Sequence, residues 1–133
     1  MPYHIEFDPV NRVLRGRLVG KITDEVLREF YLVSEKYIAL TSPRSTVTDM
    51  SSVTSLEVSA QTVRDLANLP PALADPSRPR CIIAVSAKVF GMARMFELQG
   101  QGTRPNLHVV RTEKEAWAIL GISKPKFESV QAE

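Results

Sequence analysis

The sequence is poor in the residue types that most often carry chemistry or covalent cross-links. Its 133 residues include one cysteine and two histidines, and aromatic residues make up 7% of the chain. A single cysteine cannot form a disulfide within the chain, so the fold must depend on its core. His4 and His108 lie in separate strand-like segments, and neither has a histidine or cysteine partner at metal-ligand spacing. We therefore expect no metal site and no cofactor.

Long hydrophobic runs and a strong excess of one charge are also missing. No apolar segment approaches the roughly 20 residues that span a bilayer, and the first residues lack the basic and apolar regions of a signal peptide. The net charge is +2, from 17 Lys+Arg and 15 Asp+Glu, without the clustered basic stripe of a nucleic-acid-binding surface. We expect a small cytoplasmic protein with no membrane span and no nucleic-acid partner.

The common enzyme motifs are missing as well. The Gly-Gln-Gly at residues 100–102 follows a helical segment, whereas a dinucleotide-binding loop follows a strand. Cys81 opens an apolar segment and has no neighbouring base that would activate it as a nucleophile. No pair of carboxylates has the spacing of a hydrolase site. We predict that the protein is not an enzyme.

What the sequence does contain is a regular alternation of strand and helix patterns. Apolar residues alternate over residues 3–7 and again over residues 12–19, and the turn chemistry between them predicts a hairpin. Gly20 ends the second strand, and Thr23 caps a helix. Strands and helices then alternate along the rest of the chain. They are a strand over residues 46–49, a helix capped by Ser59, a strand over 81–85, a helix over 88–98, a strand over 107–110 and a helix capped by Thr112.

This order, ββαβαβαβα, predicts a single α/β domain with a mixed sheet. The first strand is antiparallel to the second, and helices join the remaining strands in parallel. We place the domain at residues 1–122. Residues 123–133 are predicted to form a flexible C-terminal tail.

Two groups of residues are candidates for binding. Asp49, Ser51, Ser52 and Lys88 are expected at the carboxyl ends of parallel strands, where open α/β sheets bind ligands. The simpler interpretation is that Asp49 is a turn residue that accepts hydrogen bonds from the backbone of the two serines.

The predicted third helix forms the second group because it is apolar nearly all round. Phe90, Met92 and Met95 could contact a partner or ligand, or they could be core and ordinary surface residues. Arg94 lies among them and could offer its guanidinium to a partner's carboxylate or to a ligand's head group. If Arg94 is instead structural, Asp49 and Glu57 are candidate acceptors.

Several short motifs resemble the STAS-domain family, in particular its small SpoIIAA-like bacterial members. They are Gly-Lys-Ile-Thr at residues 20–23, Asp-Met-Ser-Ser-Val-Thr at 49–54, Phe-Gly-Met-Ala-Arg-Met-Phe at 90–96 and Glu-Ala-Trp-Ala-Ile-Leu at 115–120. The resemblance implies a non-catalytic regulatory module, similar to anti-sigma factor antagonists, that recognises a protein partner. The alternative is a small apolar or amphipathic, lipid-like ligand bound beside the third helix. We also expect a homodimer.

At one position the sequence departs from the family's motif, and this position is the one that is phosphorylated in the family. Antagonists of this type carry Asp-Ser-Ser-Gly before the second helix, and the first serine is phosphorylated. The resemblance aligns Glu57-Val58-Ser59-Ala60 with this motif. Val58 occupies the acceptor position and has no hydroxyl, so no phosphorylation is expected there, and the simpler role of Ser59 is helix capping.

Overall fold

A six-stranded sheet is the centre of the part of the protein that the computed structural model describes, residues 2–130. In chain order the elements are β1 (Tyr3–Asp8), β2 (Val13–Thr23), α1 (Asp24–Thr41), β3 (Ser45–Glu57), α2 (Ala60–Ala67), β4 (Arg80–Ile83), α3 (Ala87–Gln99), β5 (Leu107–Val110), α4 (Glu113–Leu120) and β6 (Glu128–Ser129). The spatial order of the strands is β5-β4-β3-β2-β1-β6. A bilayer-spanning helix is absent from the described residues.

The sheet is mixed, as the sequence predicts. β1 pairs antiparallel with β2, while β2, β3, β4 and β5 pair in parallel through helical crossovers. The hairpin is closed by Asp8, whose carboxylate accepts hydrogen bonds from the backbone N–H groups of Val10 and Asn11. The predicted caps are confirmed: the hydroxyls of Thr23, Ser59 and Thr112 each accept a backbone N–H in the first turn of the following helix.

Each face of the sheet has its own core. On one face, α1, α2 and α3 cover a cluster that includes Ile5, Leu18 and Phe30. On the other face, α4 packs on a smaller cluster around Val47 and Ile83. Because successive strand residues point to opposite faces, both clusters draw on the same strands.

Two predicted strand ends are wrong. β2 continues past Gly20 to Thr23, and β3 continues past Asp49 to Glu57. The two strands extend each other: they stay paired in parallel as far as Thr23 and Glu57, with two register shifts. A single strand's pattern does not reveal such an extension, because the hydrogen bonds that prolong it come from its partner.

The segment after Ile122 packs against the domain. β6 pairs antiparallel with β1, and the backbone N–H of Lys126 donates to Asp8 Oδ2 at 3.0 Å. The Phe127 ring lies 5.8 Å from the ring of Trp117. The packed part of the chain therefore reaches beyond residue 122. The predicted domain limit and the flexibility of the tail stay predictions, and residues 131–133 lie outside the described residues.

Candidate functional site

A cavity of about 190 Å³ lies between the sheet and the three helices that cover one of its faces. Leu27, Phe30 and Ile38 of α1 form one wall, and Met92 and Phe96 of α3 form another. The floor is the sheet, and the loop that follows α2 contributes residues 71–73. The cavity is therefore mainly apolar, and it is built by elements that are distant in sequence.

Arg80, the first residue of β4, brings a buried charge to this cavity. Its side chain lines the cavity, and the residue is 5% exposed. Nη2 donates to the carbonyl oxygens of Leu73 and Asp75 at 2.8 and 2.9 Å. The other two nitrogens, Nε and Nη1, are buried and have no hydrogen-bond partner among residues 2–130. Part of the guanidinium thus holds the loop, and the rest remains able to donate.

A second buried arginine, Arg104, also lines the cavity. Its Nη1 donates to the carbonyl oxygen of Ala67 at 2.9 Å and to Thr103 Oγ1 at 3.2 Å. Its guanidinium lies 4.9 Å from the centre of the Phe96 ring. A positive charge beside the last carbonyl groups of α2 also interacts favourably with the helix dipole. Arg104 therefore has a clear structural role.

The two arginines make the cavity electropositive. Burial lowers the pKa of both guanidiniums, and for Arg80 the nearby charge of Arg104 lowers it further. No aspartate or glutamate belongs to the cavity lining in the described part of the chain. An arginine stays protonated at neutral pH despite such shifts. The site therefore combines apolar walls with two positive charges.

The predicted residues of α3 divide between the core and the surface. Phe90 and Met92 pack against the first cluster, and Met92 also lines the cavity. Met95 is half-buried, and Lys88 is exposed in the first turn. Arg94 is exposed and pairs with Glu97 on the same helix. The acceptors suggested by the sequence, Asp49 and Glu57, are not its partners.

Asp49, Ser51 and Ser52 lie within β3 instead of at its end. Asp49 is buried and accepts the backbone N–H of Ser51 at 2.9 Å, one of the two local hydrogen bonds expected, but it lies in a strand and not in a turn. The register shifts here, because one residue of β2 faces Met50 and Ser51 of β3. The pairing of β4 also stops at Asp49. The exposed hydroxyls of Ser51 and Ser52 therefore lie at the carboxyl edge of the neighbouring strand.

The segment aligned with the phosphorylated motif is a helix start. Val58 is half-buried against the first cluster and also lines the cavity. Ser59 is the N-cap of α2, and its Oγ accepts the Thr62 N–H at 3.1 Å. Asp24 fixes the same turn, because its Oδ1 accepts the Ser59 N–H at 2.8 Å. The serine hydroxyl is thus engaged in capping.

The sequence-based prediction missed Arg80 and Arg104. Both are polar residues next to turns, and such arginines usually reach solvent. The only sequence signal was their position, since Arg80 directly precedes the apolar run of β4 and Arg104 follows the turn after α3.

The fold can be compared with known proteins. No protein-family model and no curated protein matches the sequence. The structure of the anti-sigma factor antagonist SpoIIAA in its unphosphorylated form matches with a TM-score of 0.55 and 13% identity, over 92% of this chain and 99% of that chain. The Bacillus cell fate determinant SpoIIAA in the phosphorylated form matches with a TM-score of 0.55 and 15% identity, over 87% and 96% of the two chains. The protein therefore has a STAS-like, SpoIIAA-like fold.

Proposed function

We propose that the protein is a non-catalytic regulatory module that recognises a protein partner, as anti-sigma factor antagonists do. The observation that carries the proposal is the fold match, which extends over 92% of the chain to a SpoIIAA structure described as an anti-sigma factor antagonist. The exposed residues on one sheet edge support it. Ser51, Ser52 and Lys88 all lie beyond the carboxyl end of β4 and are open to a partner.

Arg94 provides the first test of this proposal. We expect Arg94→Ala to weaken partner binding while changing the free energy of unfolding by less than about 1 kcal/mol, as for other surface substitutions. The Arg94 side chain is 47% exposed, so solvent partly screens its ion pair with Glu97, although the Glu97 side chain is only 14% exposed. The measurement is affinity capture from native lysate with quantitative mass spectrometry, together with thermal unfolding of the same variant.

The matched control is Arg78→Ala. Arg78 is 42% exposed and also pairs with an acid three residues away, Asp75, at 3.3 Å. A partner that is lost from Arg94→Ala and kept by Arg78→Ala supports the proposal. Equal capture by both variants, or a large fall in the melting temperature of Arg94→Ala alone, would show that Arg94 is not a binding residue.

We propose further that the module works without the phosphoserine switch. Val58 has no hydroxyl, and the hydroxyl of Ser59 is engaged at the start of α2. Wild-type protein incubated with an anti-sigma-type kinase and ATP should therefore remain unmodified in residues 57–60, whereas Val58→Ser should become phosphorylated. Intact-mass and phosphopeptide analysis measure how much phosphate each protein carries and on which residue. Near-stoichiometric phosphate on Ser59 of the wild type would contradict the proposal.

A second candidate function is the binding of a small apolar or amphipathic, lipid-like molecule. The cavity favours it, because its volume of about 190 Å³ exceeds the roughly 150 Å³ of an apolar cavity that takes benzene. A ligand in the cavity would contact Met92 and Phe96 of α3, which line it. Native mass spectrometry of the purified protein, and titration with 1-octanol, test this function directly.

We propose that the protein is cytoplasmic and assembles as a homodimer. Exposed Leu98 and the half-buried Met95 on α3 are candidates for the contact. Light scattering over a range of protein concentrations is expected to give twice the chain mass. A constant mass of 14.8 kDa at high concentration would rule out the dimer.

A further inference from the structure

Arg80 is a buried charge that the fold does not fully satisfy. Only Nη2 of its guanidinium is bonded, to two loop carbonyls, and Nε and Nη1 have no partner among the described residues. A buried ion without an opposite charge or hydrogen-bond acceptors is destabilising. Holding the loop would need only the Nη2 contacts. The remaining donors therefore point to a second role for this side chain.

The surroundings of Arg80 show what would satisfy it. The guanidinium borders a cavity whose other walls are mainly hydrocarbon, from Leu27, Phe30 and Met92 among others. Arg104 adds a second positive charge to the same cavity. Among the described residues, the acid with an electrostatic effect on Arg80 is Asp75, which is exposed and engaged with Ser77 and Arg78. The charge of the cavity is thus uncompensated by its own lining.

We propose that this cavity binds a medium-chain carboxylic acid, with the carboxylate held by Arg80 and the alkyl chain held by the apolar walls. This inference rests on the second candidate function above and adds the head group to it. An arginine bonds a carboxylate through charge-assisted hydrogen bonds, which are stronger than those to a neutral hydroxyl. The cavity volume suits a chain of about six to eight carbons, by comparison with the cavity that takes benzene.

The experiment compares octanoate with 1-octanol by isothermal titration calorimetry. Both probes have the same alkyl chain, so the apolar walls contribute about equally, and the difference reports the head group. We expect octanoate to bind at least tenfold more tightly than octanol to the wild-type protein. Octylamine should bind more weakly than octanoate or octanol, because its positive charge enters a cavity that already holds two positively charged arginines.

Variants assign the preference to Arg80. Arg80→Met keeps a long side chain and removes one of the two positive charges, and it should lose most of the preference for octanoate. Arg78→Met is the matched control, since Arg78 is a neighbouring arginine outside the cavity lining, and it should keep the preference. The Nε–H resonance of Arg80 in the wild-type protein gives a readout that does not depend on how a variant folds. It should shift on addition of octanoate and stay unchanged with octanol.

The outcomes separate this inference from the function on which it rests. If octanol and octanoate bind the wild type equally well, the cavity is a ligand site but the acid preference is refuted. If neither binds, both the ligand-binding function and this inference fail. If Arg80→Met keeps the preference, or the Nε–H resonance does not move with octanoate, Arg80 does not hold the carboxylate.

Discussion

Replacing Asp8 with alanine is expected to lower the free energy of unfolding by about 3 kcal/mol, because a buried charged acceptor is lost. Its carboxylate accepts the backbone N–H groups of Val10, Asn11 and Lys126 at 2.9, 3.0 and 3.0 Å. The Asn11 side-chain amide donates a further hydrogen bond at 2.8 Å. One side chain therefore closes the β1–β2 turn and fixes the segment that leads to β6.

Urea unfolding followed by Trp117 fluorescence measures this loss. Trp117 packs near Phe127, one residue after Lys126, so its emission should also report release of the C-terminal segment. Asp75→Ala is the matched control. Asp75 accepts the backbone N–H of Ser77, two residues on, in the same local way, but it is exposed. We expect a much smaller loss for Asp75→Ala, and equal losses would contradict the role given to Asp8.

The contribution of Asp8 should depend on pH. Burial alone raises the pKa of the carboxyl, but the hydrogen bonds from Asn11, Lys126 and Val10 outweigh it, and the pKa lies below its usual value. The stabilisation is then complete above about pH 4, the pKa of an unfolded aspartate, and is lost as the pH falls through the folded-state pKa. In this acidic range the wild type should lose stability more steeply than Asp8→Ala. Parallel curves would show that Asp8 does not titrate with a lowered pKa.

The elements with local signals could be predicted from the sequence. Thr23, Ser59 and Thr112 each cap a helix as expected, because an N-cap hydroxyl and the N–H that it satisfies lie within one turn. Gly121 ends α4 with a φ of 69°, which glycine adopts without strain. The β1–β2 hairpin has the same local character.

Features that depend on a distant strand could not be predicted in this way. The second half of β3 is rich in serine and threonine and resembles a loop in sequence, and only its pairing with β2 makes it a strand. β6 has two residues, and its pairing with β1 spans most of the chain. The alternation of apolar and polar residues that indicates a strand cannot be recognised in so short a segment.

The candidate cavity was missed for a related reason. The prediction placed a ligand beside α3, and Met92 does line the cavity, but Arg94 on the same helix faces away and pairs with Glu97. Arg80 is buried only because the loop after α2 folds over it and offers the carbonyls of Leu73 and Asp75. The chemistry of that contact lies in the backbone, which the side-chain pattern of the sequence does not reveal.

Phe30 belongs to both the cavity lining and the core, so its removal should affect both. Its ring lines the cavity and meets Tyr3 edge to face, with the ring centres 5.9 Å apart. Gly16 leaves room for it, since a Cβ at that position would lie 2.4 Å from the Phe30 Cζ. Phe30→Ala is expected to cost about 3 to 5 kcal/mol of stability. Gly16→Ala should cost about 1 to 3 kcal/mol, because the ring must move.

A double-mutant cycle tests whether these two losses have one cause. If the methyl group of Gly16→Ala destabilises the protein by displacing the Phe30 ring, it should have little effect in a protein that already carries Phe30→Ala. The double variant should then be more stable than the sum of the single losses predicts, by about 1 to 2 kcal/mol. Gly91→Ala is the control, since its Cβ meets nothing within 4 Å, and alanine on an exposed helix should raise stability slightly.

Gly16→Ala should also weaken 1-octanol binding, because the displaced ring must move into the cavity beside it. Additive losses in the cycle, together with unchanged octanol binding, would show that Gly16 does not set the position of Phe30.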